Sequence, residues 1–252
     1  MLGSGWHDVA VTSRLLVVQP DPIVPLAGFA EWLRAAGVQV RLVRPFTGEP
    51  VPARVDEDGL LVLGGSMSST DDAGHPWLAD VRALMRSAAA DGRPTLGICL
   101  GGQLMAQAFG GTVEVGDRGL ETGVVDVAWR PEVADDPLLG GLPREFPVGQ
   151  MHHDMISRLP VDATWLASSA QYAHQAFRVG SCSWGLQFHP EVTTDVYRDW
   201  VEAEDATDEE APRLAQALGD FARDEVRVHA ANRRIAERFA GLLAEAARRD
   251  AV

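Results

Sequence analysis

The chain is short of positive charge. Its 252 residues include 22 lysines and arginines against 36 aspartates and glutamates, a formal net charge of −14 with histidine neutral. Nucleic acids and anionic membrane surfaces are bound through basic surfaces, so neither is an expected partner. The ligands that we expect are small molecules.

Long apolar runs are also missing from the sequence. A membrane-spanning helix needs about 20 consecutive apolar residues, and no segment reaches that length. Residues 1–14 lack the basic region and following apolar region of a signal peptide. We therefore expect a cytoplasmic protein, with residues 1–13 as a disordered leader.

Cysteine is scarce, and Cys99 and Cys182 do not make a disulfide framework. Histidine and cysteine do not cluster at the spacing of metal ligands, so neither a metal nor a cofactor is expected. The phosphate-binding pattern Gly-x-x-x-x-Gly-Lys-[Ser/Thr] is absent as well. The chain is therefore not expected to activate an acceptor with ATP.

The first part of the chain alternates short apolar runs with segments of helical periodicity. The predicted strands are residues 15–18, 38–43, 60–63 and 95–99, and the predicted helices are residues 26–36, 77–90 and 104–109. This alternation is typical of a mostly parallel sheet that is covered by helices on both faces. Such sheets bind ligands at the carboxyl ends of their strands.

The second half contains short predicted strands with little helix between them. They lie at residues 124–129, 148–152, 164–168, 175–179 and 183–188, and they predict an antiparallel or mixed extension of the same sheet. An acidic segment, residues 202–210, predicts an exposed loop, and the tail has one apolar helical face. We expect one α/β domain over residues 14–200, with the acidic loop and C-terminal amphipathic helices of residues 201–252 packed on it.

One heptapeptide carries the most chemical information. Residues 97–103 read Gly-Ile-Cys-Leu-Gly-Gly-Gln and stand between a predicted strand and a predicted helix. A helix N-terminus favours a thiolate, and the glycines let the backbone approach a substrate closely. We predict that Cys99 is a nucleophile, which favours a reducing compartment. Cys182 lacks such a turn and is predicted to pack in the interior.

A candidate base lies in the segment Gly-Leu-Gln-Phe-His-Pro-Glu, which ends with His189 and Glu191. Residues two apart on an extended strand point to the same side, so Glu191 can orient the His189 ring. A cysteine nucleophile needs such an oriented base. The pair Gly64 and Gly65, at another strand end, leaves backbone N–H groups free to stabilise an oxyanion.

In this order and spacing the motifs resemble the class I glutamine amidotransferases of the triad type, with Cys, His and Glu. The resemblance covers about residues 15–197. It is to the glutaminase domain of GMP synthetase and, more closely, to stand-alone single-domain members. It implies a three-layer, flavodoxin-like α/β fold, in which helices flank a mostly parallel central sheet with an antiparallel extension and a C-terminal helix.

The resemblance also implies an activity, the thiol-dependent hydrolysis of the γ-amide of glutamine or of a γ-glutamyl compound, with release of glutamate and ammonia. Cys99 would attack the γ-carbonyl, His189 would transfer the proton, and Glu191 would hold the imidazole. The oxyanion hole would consist of the N–H groups of Gly65 and Leu100.

At the substrate end, the resemblance implies that Gln103, His152 and Asp154 contact the substrate. His153 stands where the family often has the glycine of His-Gly-Asp, so its side chain would narrow the pocket or bind a different group. The alternative is that His152 and His153 are strand histidines whose hydrogen bonds are satisfied within the protein and that have no role in binding the substrate. His174 and His229 are predicted to be surface or packing residues.

Three functions stay open at this point. The first is a glutaminase that feeds ammonia to a separate synthetase, and the second is a stand-alone γ-glutamyl hydrolase or peptidase whose leaving group is not ammonia. The third is a catalytically silent binding or regulatory module on the same fold. The candidate partners are the small-molecule substrate, a second copy of the chain in a homodimer, and a separate synthetase subunit.

Overall fold

The computed structural model describes residues 12–251, in which twelve strands form. These strands are β1 (Arg14–Val18), β2 (Gln39–Val43), β3 (Gly59–Val62), β4 (Thr95–Ile98), β5 (Thr112–Val115), β6 (Glu121–Asp126), β7 (Ala128–Trp129), β8 (Pro147–His152), β9 (Asp154–Arg158), β10 (Ala163–Ser168), β11 (Ala176–Val179) and β12 (Ser183–Leu186). The helices of this range are α1 (Gly28–Ala35), α2 (Trp77–Ala90), α3 (Leu100–Ala108), α4 (Thr194–Ala203) and α5 (Glu210–Asp250).

The main sheet has eight strands in the order β2-β1-β3-β4-β12-β11-β10-β7. Neighbouring strands are parallel from β2 to β12 and antiparallel from β12 to β7. The predicted α/β fold, with a mostly parallel sheet, flanking helices, an antiparallel extension and a C-terminal helix, is confirmed.

The central strands are buried on both faces, because helices cover both sides of the sheet. Successive residues of β1 alternate between the two cores: Leu15 and Val17 pack in one, and Leu16 and Val18 pack in the other. The first core includes residues of α1 and α5, and the second includes residues of α2 and α3. This alternation follows from the period of two in an extended strand.

Two strand pairs stand apart from the main sheet. β6 pairs with β8 and β5 pairs with β9, each as an antiparallel two-stranded sheet. The prediction that residues 148–152 and 124–126 extend the main sheet is therefore wrong, since those residues pair with each other, whereas residues 128–129 do join the main sheet as β7. Periodicity along a strand does not specify which strand it pairs with.

The helices differ from their predictions in three ways. α3 begins directly after Cys99 instead of at residue 104, and α4 falls where the sequence predicts no helix. The tail is a single helix of 41 residues rather than several.

The predicted acidic loop is shorter than expected, because residues 202–203 belong to α4 and residue 210 begins α5. The predicted leader falls mostly on residues 1–11, which lie outside the described residues.

α5 packs on several elements of the domain, namely α1, α4, β1, β6 and β8. Phe221 stacks on Tyr197 of α4, with ring centroids 5.0 Å apart and an angle of 4° between the rings. Asn232 donates a hydrogen bond of 2.7 Å to the carbonyl oxygen of Pro147, at the start of β8. Within residues 12–251 no helix combines the length and apolar character needed to cross a membrane.

The packing of α5 predicts a large cost for removing a buried ring. We expect Phe221→Ala, at a residue with 0% exposure, to lower the free energy of unfolding by about 3–5 kcal/mol. Val226→Ala on the same helix, at a residue with 83% exposure, should change it by less than about 0.5 kcal/mol. Denaturant unfolding of both variants measures the difference, and equal stabilities would contradict this docking of α5.

Candidate active site

Cys99 occupies a sharp turn between β4 and α3. Its φ of 50° is positive, a backbone region that non-glycine residues rarely adopt. Such a conformation costs on the order of 1–3 kcal/mol and persists where the surrounding structure enforces it. The turn holds the Cys99 side chain at the carboxyl end of a central strand, with 6% of the residue exposed.

The surrounding structure enforces the turn through close backbone contacts at two glycines. A Cβ added to Gly101 would clash with the carbonyl oxygen of Val62 in β3. A Cβ added to Gly102 would lie 2.5 Å from the carbonyl oxygen of Leu186 in β12. The first turn of α3 therefore packs directly on the ends of two strands, which only glycine permits.

His189 and Glu191 follow β12 and form a buried pair beside Cys99. Nδ1 of His189 donates to Oε1 of Glu191 across 2.8 Å, and the two residues are 3% and 0% exposed. A Cβ added to Gly64 would lie 2.9 Å from Cε1 of His189 and 3.5 Å from Cβ of Cys99. The structure thus brings the three predicted catalytic side chains together around the end of β3.

The pair changes the acidity of the imidazole. Burial lowers the pKa of His189, but the charges of Glu191 and Cys99 and the hydrogen bonds to both outweigh it and raise the pKa from 6.5 to about 10. The ring is then an imidazolium at neutral pH, the form that pairs with a thiolate. Because the folded-state pKa is raised, the resulting stabilisation is complete below pH 6.5 and is lost as the pH rises through about 10.

The two predicted oxyanion donors are neighbours in the structure. A Cβ added to Gly65 would lie 2.8 Å from Cδ2 of Leu100. The N–H of Leu100 is the first of α3, and the first N–H groups of a helix have no acceptor within that helix. Asp21, which sequence reasoning missed, accepts hydrogen bonds from the N–H and the hydroxyl of Ser66 at 3.0 and 2.6 Å and so holds the loop after Gly65.

Gln103 lines the cavity beside Cys99 and is part of a hydrogen-bond network. Its Nε2 donates to the carbonyl oxygen of Asp154 at 3.3 Å and to Oε1 of Gln187 at 3.4 Å. Nε2 of Gln187 lies 3.8 Å from Sγ of Cys99. Sequence reasoning missed Gln187, although it lies two residues before His189 and so points to the same side of the chain.

His152 also lines the cavity, but both of its ring nitrogens already have partners. Nε2 lies 2.9 Å from Oε2 of Glu121, and Nδ1 lies 2.9 Å from the carbonyl oxygen of Asp154. Glu121 is 2% exposed and accepts a further hydrogen bond of 2.7 Å from Gln175. His152 therefore orients the segment that carries Asp154, and its predicted contact with the substrate stays a prediction.

His153 lies at the rim of the same cavity. Its Nε2 is 3.0 Å from Oε1 of Glu204, which follows α4, so the pair joins two sides of the cavity wall. The carboxylate of Asp154 accepts a hydrogen bond of 2.9 Å from the hydroxyl of Ser68 on the opposite loop. The side chains at positions 153 and 154 thus bind protein groups on two neighbouring walls.

Cys99, His189 and several other residues named above line one cavity of about 380 Å³. Its lining residues, in chain order, are Ile23, Val24, Gly65, Ser66, Met67, Ser68, Cys99, Gln103, Leu120, Met151, His152, His153, Asp154, His189, Trp200, Ala203, Glu204 and Asp205. Sequence reasoning missed Trp200, whose ring lies 4.5 Å from the His189 ring, centroid to centroid.

The remaining candidates lie elsewhere. Cys182 is partly buried at the start of β12, and His174 and His229 hydrogen-bond the backbone carbonyls of Ile156 and Val192. Across residues 12–251, no group of three or more His, Cys, Asp or Glu side chains is placed to hold a metal ion.

A mostly parallel α/β sheet that carries a cysteine turn at a strand end, with a buried His–Glu pair beside it, has the parts of a thiol-dependent acyl-transfer enzyme. The family model "Glutamine amidotransferase class-I" matches residues 28–203. The chain therefore belongs to the class I glutamine amidotransferases, which are enzymes. The resemblance found in the sequence is confirmed.

Individual relatives agree with this assignment. The chain is 35% identical, over 68% of its length and 87% of the relative's, to a glutamine-hydrolyzing GMP synthase subunit of Archaeoglobus fulgidus. It is 27% identical to the solved structure of a glutamine amidotransferase from Thermotoga maritima, with a TM-score of 0.79 over 91% of this chain and 98% of that one. A glutamine amidotransferase structure from Methylobacillus flagellatus is also 27% identical, with a TM-score of 0.80 over 93% and 95%.

The electrostatics of the pair predict the effect of removing its negative charge. In Glu191→Gln, the largest influence that raises the pKa of His189 is gone and burial still lowers it. We expect the midpoint of the His189 titration, followed by NMR and assigned with His189→Gln, to fall by about one pH unit or more from about 10.

The matched control is Glu237→Gln, which removes a carboxylate from an exposed pair with Arg233 on α5. This variant should leave the His189 midpoint where it is. An equal midpoint in Glu191→Gln and in the unmodified protein would show that the carboxylate does not set the charge of the ring.

Proposed function

We propose that the chain hydrolyses the γ-amide of glutamine, or of a γ-glutamyl compound, through a γ-glutamyl thioester on Cys99. The observation that carries this proposal is the placement of Cys99 and His189 at one cavity, with Glu191 hydrogen-bonded behind His189, in a member of the class I glutamine amidotransferases. A cysteine nucleophile, a histidine base and an orienting carboxylate are the parts that acyl transfer requires.

In the first half of the reaction, the Cys99 thiolate attacks the γ-carbonyl carbon. The N–H groups of Gly65 and Leu100 stabilise the negative charge that develops on the carbonyl oxygen. The His189 imidazolium gives its proton to the nitrogen, the C–N bond breaks, and the amine leaves. Glu191 keeps Nδ1 of the ring occupied, so Nε2 faces the reacting groups.

In the second half, a water molecule attacks the thioester. His189, now neutral, takes a proton from that water and returns it to the sulfur as the C–S bond breaks. The products are glutamate and ammonia, or glutamate and an amine. Gln103 and Asp154 also border the cavity and are proposed to contact the amino-acid end of the substrate.

We further propose that ammonia, where it is the leaving group, is passed to a separate synthetase subunit. The support is the printed name of the relatives, which are glutamine-hydrolyzing subunits of GMP synthases. A homodimer, a cytoplasmic location and the domain boundary near residue 200 stay predictions. The second candidate function is a stand-alone γ-glutamyl hydrolase, and the apolar side chains next to His189 favour it.

The proposal predicts that activity depends on one of the two cysteines. Cys99→Ala should lower glutamate release from glutamine by at least about 10⁴-fold, the scale seen when a nucleophile is removed. A diazo-ketone analogue of glutamine should label the unmodified protein and fail to label this variant. Coupled glutamate detection and intact-protein mass spectrometry measure the two effects.

Cys182→Ala is the matched control, since Cys182 does not border the cavity. It should keep both glutamate release and labelling. Full activity in Cys99→Ala would end the thiol mechanism, and a folded protein that neither reacts with the analogue nor releases glutamate would favour the silent binding module.

A further inference from the structure

The cavity around Cys99 is lined by both polar and apolar side chains. Asp154 accepts hydrogen bonds from Ser68 with its carboxylate and from Gln103 with its carbonyl oxygen. Ile23, Val24 and Trp200 are among the apolar residues that line the same cavity.

Apolar residues of this cavity lie beside the catalytic imidazole. The Trp200 ring lies 4.5 Å from the His189 ring, and its Nε1 donates to the carbonyl oxygen of Ile23 at 2.7 Å. The position of a Cβ on Gly64 would be 3.2 Å from Cγ1 of Val24 and 2.9 Å from Cε1 of His189. Trp200 and Val24 therefore lie beside His189, and Ile23 is held next to Trp200 by its carbonyl oxygen. We call these three residues the apolar subsite.

The chemistry of the reaction decides which part of the substrate meets this subsite. His189 must reach the leaving nitrogen to protonate it, so that nitrogen lies within hydrogen-bond distance of the ring. Any carbon attached to the nitrogen then lies close to His189. The glutamyl portion lies on the other side of the carbonyl, and its contacts under the proposed function are Gln103 and Asp154.

We propose that the apolar subsite binds the substituent of an N-alkyl γ-glutamyl amide, so that the preferred leaving group is an apolar primary amine rather than ammonia. This inference rests on the proposed function, because it takes Cys99 as the acylated residue and His189 as the acid. Water supplies the hydroxyl of glutamate, and the C–N bond of the amide is the bond that breaks.

Exposure within the subsite supports an apolar substituent. Val24 and Trp200 are 5% and 6% exposed, whereas Ile23, which also lines the cavity, is 36% exposed. An alkyl substituent packed against Ile23 would remove apolar surface from water, which is favourable and which ammonia cannot do. A cavity of 380 Å³ also lies within the range of pockets that hold ligands larger than a single amino acid.

The rival substituent is a cationic one. Glu204 and Asp205 also border the cavity, and a positively charged chain end would be drawn to them. Oε1 of Glu204, however, already has His153 as its partner at 3.0 Å. A charged group placed against the apolar subsite would also lose its hydration without a matching charge.

A substrate series tests the inference. Glutamine is compared with its N-methyl, N-propyl and N-pentyl amides and with the 5-aminopentyl amide, and kcat/KM is measured from glutamate release. We expect kcat/KM to rise about two- to fourfold for each methylene from methyl to pentyl. The 5-aminopentyl amide should fall at least about tenfold below the pentyl amide.

Substitutions at Ile23 locate the effect. Ile23→Ser should lower the ratio of kcat/KM for the pentyl amide to that for glutamine by about tenfold, and Ile23→Val should keep most of this ratio. Val161→Ser is the control, because Val161 is 91% exposed and does not border the cavity, and its ratio should not change. If Ile23→Ser does not fold, the chain-length series of the unmodified protein decides the question.

The outcomes separate the inference from the proposed function. Hydrolysis of glutamine with kcat/KM falling as the alkyl chain grows would overturn the inference and leave the proposed function standing. A 5-aminopentyl amide that equals or exceeds the pentyl amide would overturn it in favour of the acidic rim. No hydrolysis of any γ-glutamyl amide, together with no labelling of Cys99, would overturn both.

Discussion

The close approach of α3 to the ends of two parallel strands is the constraint on which the site depends. Gly101 and Gly102 bring the first turn of this helix within contact of carbonyl groups of β3 and β12, where no Cβ fits. Cys99 must then connect β4 to a helix that begins at once, and it does so with a positive φ. The position of the sulfur, the free N–H of Leu100 and the alignment with the helix dipole all follow from this packing.

The opposite half of the site depends on a buried charge pair. Glu191 raises the pKa of His189 against the effect of burial, and a carboxylate with 0% exposure can be kept there because it is paired. Residues 192–194, which follow this pair, are held by hydrogen bonds to α5. Glu225 of α5 accepts a 2.9 Å hydrogen bond from the N–H of Thr194, and His229 of α5 lies 3.0 Å from the carbonyl oxygen of Val192.

α5 therefore supports the site even though it lies beyond residues 28–203, the part that matches the family. It packs against α4 through Phe221, and α4 carries Trp200 against the His189 ring. A helix outside residues 28–203 thus helps to hold the cavity wall that carries Trp200.

Much of the fold can be predicted because buried strands and amphipathic helices leave periodic patterns. The sequence predicts α2 at residues 77–90, and the helix occurs as Trp77–Ala90. α4 escapes prediction because its sequence is largely polar and only Tyr197 and Trp200 are buried in it. The sequence does not predict the early start of α3, because Gly101 and Gly102 disfavour a helix locally. Tertiary contacts override that preference in the folded chain.

The candidate active site, like the fold, has residues that the sequence predicts and residues that it does not. Cys99, His189 and Glu191 can be found because the chemistry requires particular residue types at fixed local spacings. Trp200 and Glu121 cannot, because their contacts depend on helices and strands that meet only in the folded chain. The pairing of β6 with β8, which carries His152 to Glu121, is of this long-range kind.

The central claim is that Cys99 becomes acylated during turnover. The most direct measurement is rapid acid quenching of the protein during reaction with glutamine, followed by proteolysis and mass spectrometry of the peptides that contain Cys99 and Cys182. The account predicts that the Cys99 peptide gains the mass of one glutamyl group and loses it on treatment with hydroxylamine. Steady turnover with no adduct on Cys99 under conditions that trap thioesters, or an adduct on Cys182, would contradict it.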